Sequence, residues 1–143
     1  MTNYLFPPYN RIANGIESLS FDLSKDILRA VALHEYCSLI EVGKYDGIEV
    51  EYLIVDVSIQ RPQIVVNPIK YEERILIEIK NDDSIPWVYT LREDFPRLPH
   101  QNLMGFEKPR CVCLYEQSKE EVWVTWTAFS FLERIRDWFS QSA

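Results

Sequence analysis

Hydrophobic residues change their period twice along this chain, and the two changes fix most of what it can fold into. Leu23, Ile27, Ala30, His34 and Cys37 recur at spacings of four and three, the repeat of one face of an α-helix. From Leu39 the repeat drops to two. IEVEYLIVDVSI at 48–59 alternates charge with bulk and then turns almost wholly apolar, while Ile75, Ile77 and Ile79 alternate with Leu76, Glu78 and Lys80 as a half-buried strand does. After Thr127 the helical repeat returns. Phe129, Leu132, Ile135 (or Arg136) and Phe139 form an apolar stripe there, with Glu133, Arg134 and Asp137 outside it.

Punctuation between these runs supplies the topology. Residues 1–19 read as an irregular lead-in tied down by Tyr4, Leu5 and Phe6, and Ser20 or Ser24 is placed to cap the first helix. IVV at 64–66 reads as a short strand between prolines that act as edges or turns. NDDSIP after Lys80 is a turn cluster, and WVYTL follows it as a further strand. DFPRLPHQNLMGFEKPR at 94–110 carries three prolines and a glycine, a composition suited to a long loop, and such loops in compact domains often hold function. CVCLYE is then a short extended piece, EQSKEE a polar turn leading into VWVTW, and Thr127 a cap for the last helix. Consecutive strands with short links make an antiparallel meander. The expected fold is therefore α+β: one helix, a four-strand antiparallel meander, a proline-rich loop and a second helix, in one domain spanning 1–143.

Charge and cysteine usage narrow the function. The net charge is −7, and no cluster of Lys and Arg offers the cationic surface that a nucleic-acid backbone requires. Charges interrupt every apolar stretch, which argues against a membrane span, and MTNYLFPPYN lacks the features of a signal peptide. A cytoplasmic protein is expected. Three cysteines, Cys37, Cys111 and Cys113, make an odd count that argues against a disulfide framework, and a lone C-x-C is poor zinc spacing, so no metal is expected. His34 and Cys37 read as core-side residues of the first helix. Trp87, Trp123, Trp126 and Trp138 fall in strand and helix patterns and read as core or interface residues, and Glu93 and Asp94 read as surface charges.

A cysteine at the end of a proline-rich loop is better placed to meet a second protein than one on a helix face, and thiol transfer needs such an open site. PHQNLMGFEKPRCVCLYE, then Trp123, then a helix resembles the ubiquitin-conjugating (UBC) fold family, in which a His-Pro-Asn motif precedes a cysteine-leucine step and a tryptophan. His100, Gln101 and Asn102 stand in the motif's place, with Gln101 where the family has proline, and Cys113-Leu114 matches the cysteine-leucine step. The blocks LREDFPRLPHQNL, PRCVCLYE and WTAFSFLERIRDWFSQSA are most similar to bacterial relatives found beside, or fused to, ThiF-like activating enzymes.

That resemblance implies Cys113 as nucleophile, Asn102 as donor to the oxyanion and His100 as a brace of the loop. Cys111 is the second candidate nucleophile, because eleven residues separate Asn102 from Cys113, a longer gap than the family's usual one. Arg97, Lys108 and Arg110 flank the cysteines and could lower a thiol pKa. The implied activity is transfer of a ubiquitin-like modifier from the activating enzyme, through a cysteine thioester, to a target amine. It needs no cofactor on this chain and fits a bacterial conjugation system for antiviral defence. The chain is then either a piece of a longer fusion or a compact stand-alone form. The competing readings are a catalytically inactive UBC-fold adaptor that binds the modifier or the activating protein, and a redox protein using Cys111 and Cys113.

Overall fold

A computed structural model describes residues 2–7, 9–45, 49–96, 98, 101–102 and 110–143, with residues 101, 102 and 110 described by their backbone alone. Its elements are β1 (Asn10–Ile12), a 3-10 turn at Ile16–Ser18, α1 (Asp22–Leu33), β2 (Cys37–Lys44), β3 (Val50–Ser58), β4 (Glu72–Lys80), β5 (Trp87–Thr90), β6 (Gln101–Asn102), β7 (Arg110–Val112), α2 (Lys119–Thr125) and α3 (Ala128–Ser142). All the strand pairs are antiparallel, in the order β1-β2-β3-β4-β5-β7-β6. The four-strand meander is the centre of this sheet, β2 to β5. The lead-in adds an edge at one side, and the proline-rich stretch adds β6 and β7 at the other.

Both faces of the central strands are covered, which is why β3 loses its alternation. On one face Leu53, Val55, Ile75, Ile77 and Val88 join Ile27 and Val31 of α1 and Phe131, Leu132, Ile135 and Phe139 of α3 in a single core. On the other, Tyr52, Ile54, Leu76 and Leu91 form a second cluster, roofed in part by Tyr4 and Tyr9. Leu76 is thus fully buried, and β4 is not the half-exposed strand its alternation suggests. The lead-in is held as well as apolar: the Leu5 amide donates to the Leu91 carbonyl at 2.7 Å, the Arg74 guanidinium lies 4.4 Å from the Tyr4 ring centre, and the Tyr9 hydroxyl donates to Glu41. Tyr9 lies so close over Gly43 that a Cβ there would collide with its ring.

Helix ends differ from expectation in instructive ways. Neither Ser20 nor Ser24 caps α1. Buried Glu51, reaching across from β3, accepts the backbone N–H groups of Ser20 and Phe21 at 2.8 and 3.0 Å, so a carboxylate remote in sequence serves the positive end of the helix dipole. The helix stops at Leu33. His34 is its C-terminal cap, and Cys37 opens β2 rather than continuing the helix, although both side chains are buried. His34 Nδ1 accepts the Tyr36 amide at 3.1 Å, which leaves Nε2 to carry the proton towards Glu133 of α3 at 2.6 Å.

Thr127 caps α3 as expected, in a reciprocal arrangement with Ser130. The buried stripe of α3 is Phe131, Leu132, Ile135, Trp138 and Phe139. Phe129 is 54% exposed and stacks on His34, 4.9 Å between ring centres. Residues 64–66 form no strand: Ile64 and Val66 are 81% and 82% exposed. The second half of EQSKEE, read as a turn, and most of VWVTW are taken up by α2. No helix among the described residues is long and apolar enough to cross a membrane.

Candidate functional site

The three residues of β7 are held between two partners. Cys111 lies opposite Tyr89 of β5 and Asn102 of β6, and Val112 opposite Gln101. Residues directly opposite in an antiparallel ladder share a face, so Cys111 packs beside Tyr89 and is only 4% exposed. Val112 and Leu114 go into the main core. The ladder ends at Val112, and Cys113, the next residue, is exposed. The two cysteines therefore part company where the pairing stops. Burial pushes the Tyr89 hydroxyl well above its usual range, helped by Glu78 and Cys111 nearby.

Cys113 lines an open cleft of about 360 Å³ with Ile85, Trp87, Tyr115, Gln117 and Lys119 among its walls. Asp83, in the turn between β4 and β5, precedes Ser84 of the cleft wall and holds Lys119 in place. Its carboxylate oxygens both lie 3.0 Å from Lys119 Nζ, and its carbonyl accepts the Trp123 indole N–H at 2.8 Å. These contacts bring α2 onto the turn, and Ser118 caps that helix with its hydroxyl towards the Glu121 amide. On the far side, Arg134 of α3 donates to the Leu114 carbonyl at 2.8 Å and lies 5.9 Å from the Tyr115 ring centre. The segment carrying Cys113 is thus anchored on both flanks while its thiol faces the opening.

The start of the 94–110 segment is fixed by a buried ion pair. Arg92 reaches Glu73 of β4 through Nε at 3.0 Å and Nη2 at 2.8 Å, and also donates to Asp94 at 3.0 Å and to the Pro68 carbonyl at 2.8 Å. Each charge is the partner without which the other would be buried uncompensated. The Arg92 guanidinium beside it holds the Asp94 carboxyl below the usual carboxylate range.

Among the sequence candidates, Cys113 and Cys111 are placed two residues apart with opposite exposure, and the backbone of Asn102 is paired with that of Cys111. Nine positions apart in sequence, Asn102 and Cys111 thus lie on adjacent strands. His100, Arg97 and Lys108, and the side chains of Asn102 and Arg110, lie outside the described residues. Cys37 is buried, and burial pushes its thiol up to about 11. Trp123 stands on α2, with its ring centre 5.0 Å from that of Trp126. Sequence reading missed Lys119 as a wall of the cleft, Asp83 and Arg134 as contacts that hold the segments beside it, and the buried Arg92–Glu73 pair. NDDS reads only as a turn, and nothing local links it to a helix 36 residues later. Among the described residues no group of three His, Cys, Asp or Glu side chains is placed to hold a metal ion.

Comparison with known proteins gives one match. The sequence profile of prokaryotic E2 family A matches residues 24–143, a span that runs from the first turn of α1 through the cleft to the end of α3. No curated protein and no solved structure matches the chain.

Proposed function

The chain belongs to prokaryotic E2 family A, and from that premise we propose that Cys113 carries a ubiquitin-like modifier as a thioester. The modifier comes from a ThiF-like activating enzyme, separate or fused, and passes to an amine on a target protein. The observation that carries this reading is the exposure of Cys113 in an open cleft, while Cys37 and Cys111 are buried. A thiol that must attack a thioester held by another protein has to be reachable by that protein. An adaptor that only binds would have no need of it.

In the first step the Cys113 thiolate attacks the thioester carbonyl, a new C–S bond forms, and the activating enzyme's sulfur leaves with its electron pair. In the second the target amine attacks the new thioester, and Cys113 is the leaving group. Both steps pass through an oxyanion that a fixed hydrogen-bond donor would stabilise. The backbone pairing of Asn102 with Cys111 supports Asn102 in that role, and His100 is proposed to brace the loop. ATP is used by the activating partner, so this chain's own chemistry is acyl transfer alone. The setting is a bacterial conjugation pathway of the kind the resemblance links to antiviral defence.

The test is reconstitution with the activating protein and modifier encoded beside it, plus ATP. The expected product is an adduct that a reducing agent removes. Asn102→Ala is expected to slow discharge to an added amine more than it slows loading. If no adduct forms and the chain binds the modifier stably instead, the adaptor reading replaces this one.

A further inference from the structure

The lead-in does more than roof the second apolar cluster. Its first residues run alongside 91–93, the continuation of β5. The Glu93 amide donates to the Asn3 carbonyl at 2.9 Å, Tyr4 stands opposite Arg92 in an antiparallel bridge, and the Leu5 amide donates to the Leu91 carbonyl at 2.7 Å. Side chains fasten the same stretch to β4 and to the residues before it. The Arg74 guanidinium that lies over the Tyr4 ring is itself held by Asp56 at 2.7 and 3.0 Å, and Lys70 Nζ donates to the Thr2 hydroxyl at 3.0 Å. Further along, β1 pairs with β2 at the outer edge of the sheet, and the Tyr9 ring lies 5.7 Å from that of Tyr52. The lead-in is thus a belt across one sheet face, fastened at β2 and at the end of β5. It precedes the span matched to the family, which begins at residue 24.

The second fastening adjoins the strand that carries the site. Thr90, the last residue of β5, lies opposite Arg110 of β7, and Leu91, the next residue, is the first that the belt grips. Tyr89 and Thr90 are the register partners that β5 gives to β7, and Cys113 follows the end of β7. So short a ladder opens readily unless the strand beside it is held. The Leu91 amide donates to the Arg74 carbonyl of β4 at 3.1 Å, so residues 91–93 are stitched to β4 and to the belt together.

We propose that Tyr4 and Leu5 are positioning residues for the transfer: they hold the end of β5, β5 holds β7, and β7 sets where the Cys113 thiol stands. This rests on the thioester reading of Cys113. Neither residue touches a reacting atom. Both act through the Tyr89–Cys111 and Thr90–Arg110 pairs, and a displacement of about 1 Å at a reacting atom can cost about a hundredfold in rate. The two fastenings also separate this role from folding. Tyr4 and Leu5 are only partly buried and lie outside the main core, and β1 and Tyr9 keep the far end of the belt attached when the near end is loosened.

The experiment uses the full chain and four substitutions. Tyr4→Ala takes the ring from Arg74, Leu5→Pro removes the amide that donates to Leu91, and Tyr4→Phe keeps the ring. Ile27→Val, in the main core on α1, is the control for general destabilisation. All are compared at a temperature where circular dichroism shows them folded. Backbone amide exchange over residues 110–112 is read by mass spectrometry. Each chain is also loaded with the activating protein, modifier and ATP, and discharge of the Cys113 thioester to free lysine is timed. In Tyr4→Ala and Leu5→Pro the β7 amides are expected to exchange about fivefold faster. Discharge in the same two variants is expected to slow about tenfold. Tyr4→Phe and Ile27→Val should match the unsubstituted chain in both readouts. Unchanged β7 exchange in Tyr4→Ala and Leu5→Pro, faster exchange without slower discharge, or an equal slowing in Ile27→Val would each overturn the proposal. Absence of a Cys113 adduct on the unsubstituted chain contradicts the thioester reading and with it the role in transfer, while the exchange of β7 still decides by itself whether the belt holds that strand.

Discussion

Strands β3 and β4 pair over nine residues, from Val50 opposite Lys80 to Ser58 opposite Glu72, whereas β6 and β7 pair over two. The long pair lies inside the sheet with apolar clusters on both faces. The short pair lies at the edge, followed at once by the exposed thiol. The first region draws its stability from buried area, which is non-directional and forgiving of small shifts. The second adds polar anchors to the burial of Val112 and Leu114: Lys119 and Trp123 on Asp83, Arg134 on the Leu114 carbonyl, and Arg92 on Glu73 at the start of the segment that leads to it. The division suits the proposed transfer, which needs one thiol open to a partner protein.

The sharpest way to break this comparison is at Arg92. Arg92→Ala leaves Glu73 as a buried carboxylate without its partner, and the expected loss is about 3–5 kcal/mol in urea unfolding. A loss below about 1 kcal/mol would mean that the ion pair is not a foundation of the edge. Ile77→Ala probes the other region. Ile77 is fully buried at the centre of β4, and the expected cost is about 2–5 kcal/mol, felt throughout the sheet. Trp126 is only partly buried, so Trp126→Ala is expected to cost less than the 3–5 kcal/mol typical of a fully buried tryptophan, roughly 2 kcal/mol. Removing the exposed Asp83–Lys119 pair by Asp83→Ala is expected to leave global stability almost unchanged, because solvent screens so open a pair. Its effect should appear locally instead, as faster amide exchange in α2; unchanged exchange there would remove Asp83 as an anchor.

Much of this was legible in the sequence, and the reasons are particular. Ile75, Ile77 and Ile79 announced a strand because β-branched residues recurred there at period two, although Leu76 between them is buried on the other face, and Thr127 announced a helix start because its cap is local. The α1 cap was not legible: Glu51 is 30 residues from the amide it accepts, and no pattern in Ser20-Phe21-Asp22 points to it. Cys37 fell into the helical repeat by coincidence of spacing, since a residue opening a buried strand is as apolar as one on a helix stripe. The same limit hid the cleft. The proline-rich stretch pointed to Cys113, but Asp83 and Lys119 look like solvated charge until the fold places them together. The pairing of Asn102 with Cys111, nine positions on, was likewise invisible, because the sequence between them does not say where the chain turns back.

Two cysteines two residues apart, one buried and one exposed, give the account its most direct test. The chain and its Cys111→Ala and Cys113→Ala variants are each incubated with the activating protein, the modifier and ATP, and intact masses are read with and without reductant. At pH 8, brief iodoacetamide treatment of the unloaded chain should also alkylate Cys113 well before Cys37, whose thiol is buried and pushed up to about 11. The predicted result is a reductant-sensitive adduct in the unsubstituted chain and in Cys111→Ala, and none in Cys113→Ala. An adduct that persists without Cys113 and disappears without Cys111 would contradict the assignment, and place the chemistry on the cysteine that the sheet covers.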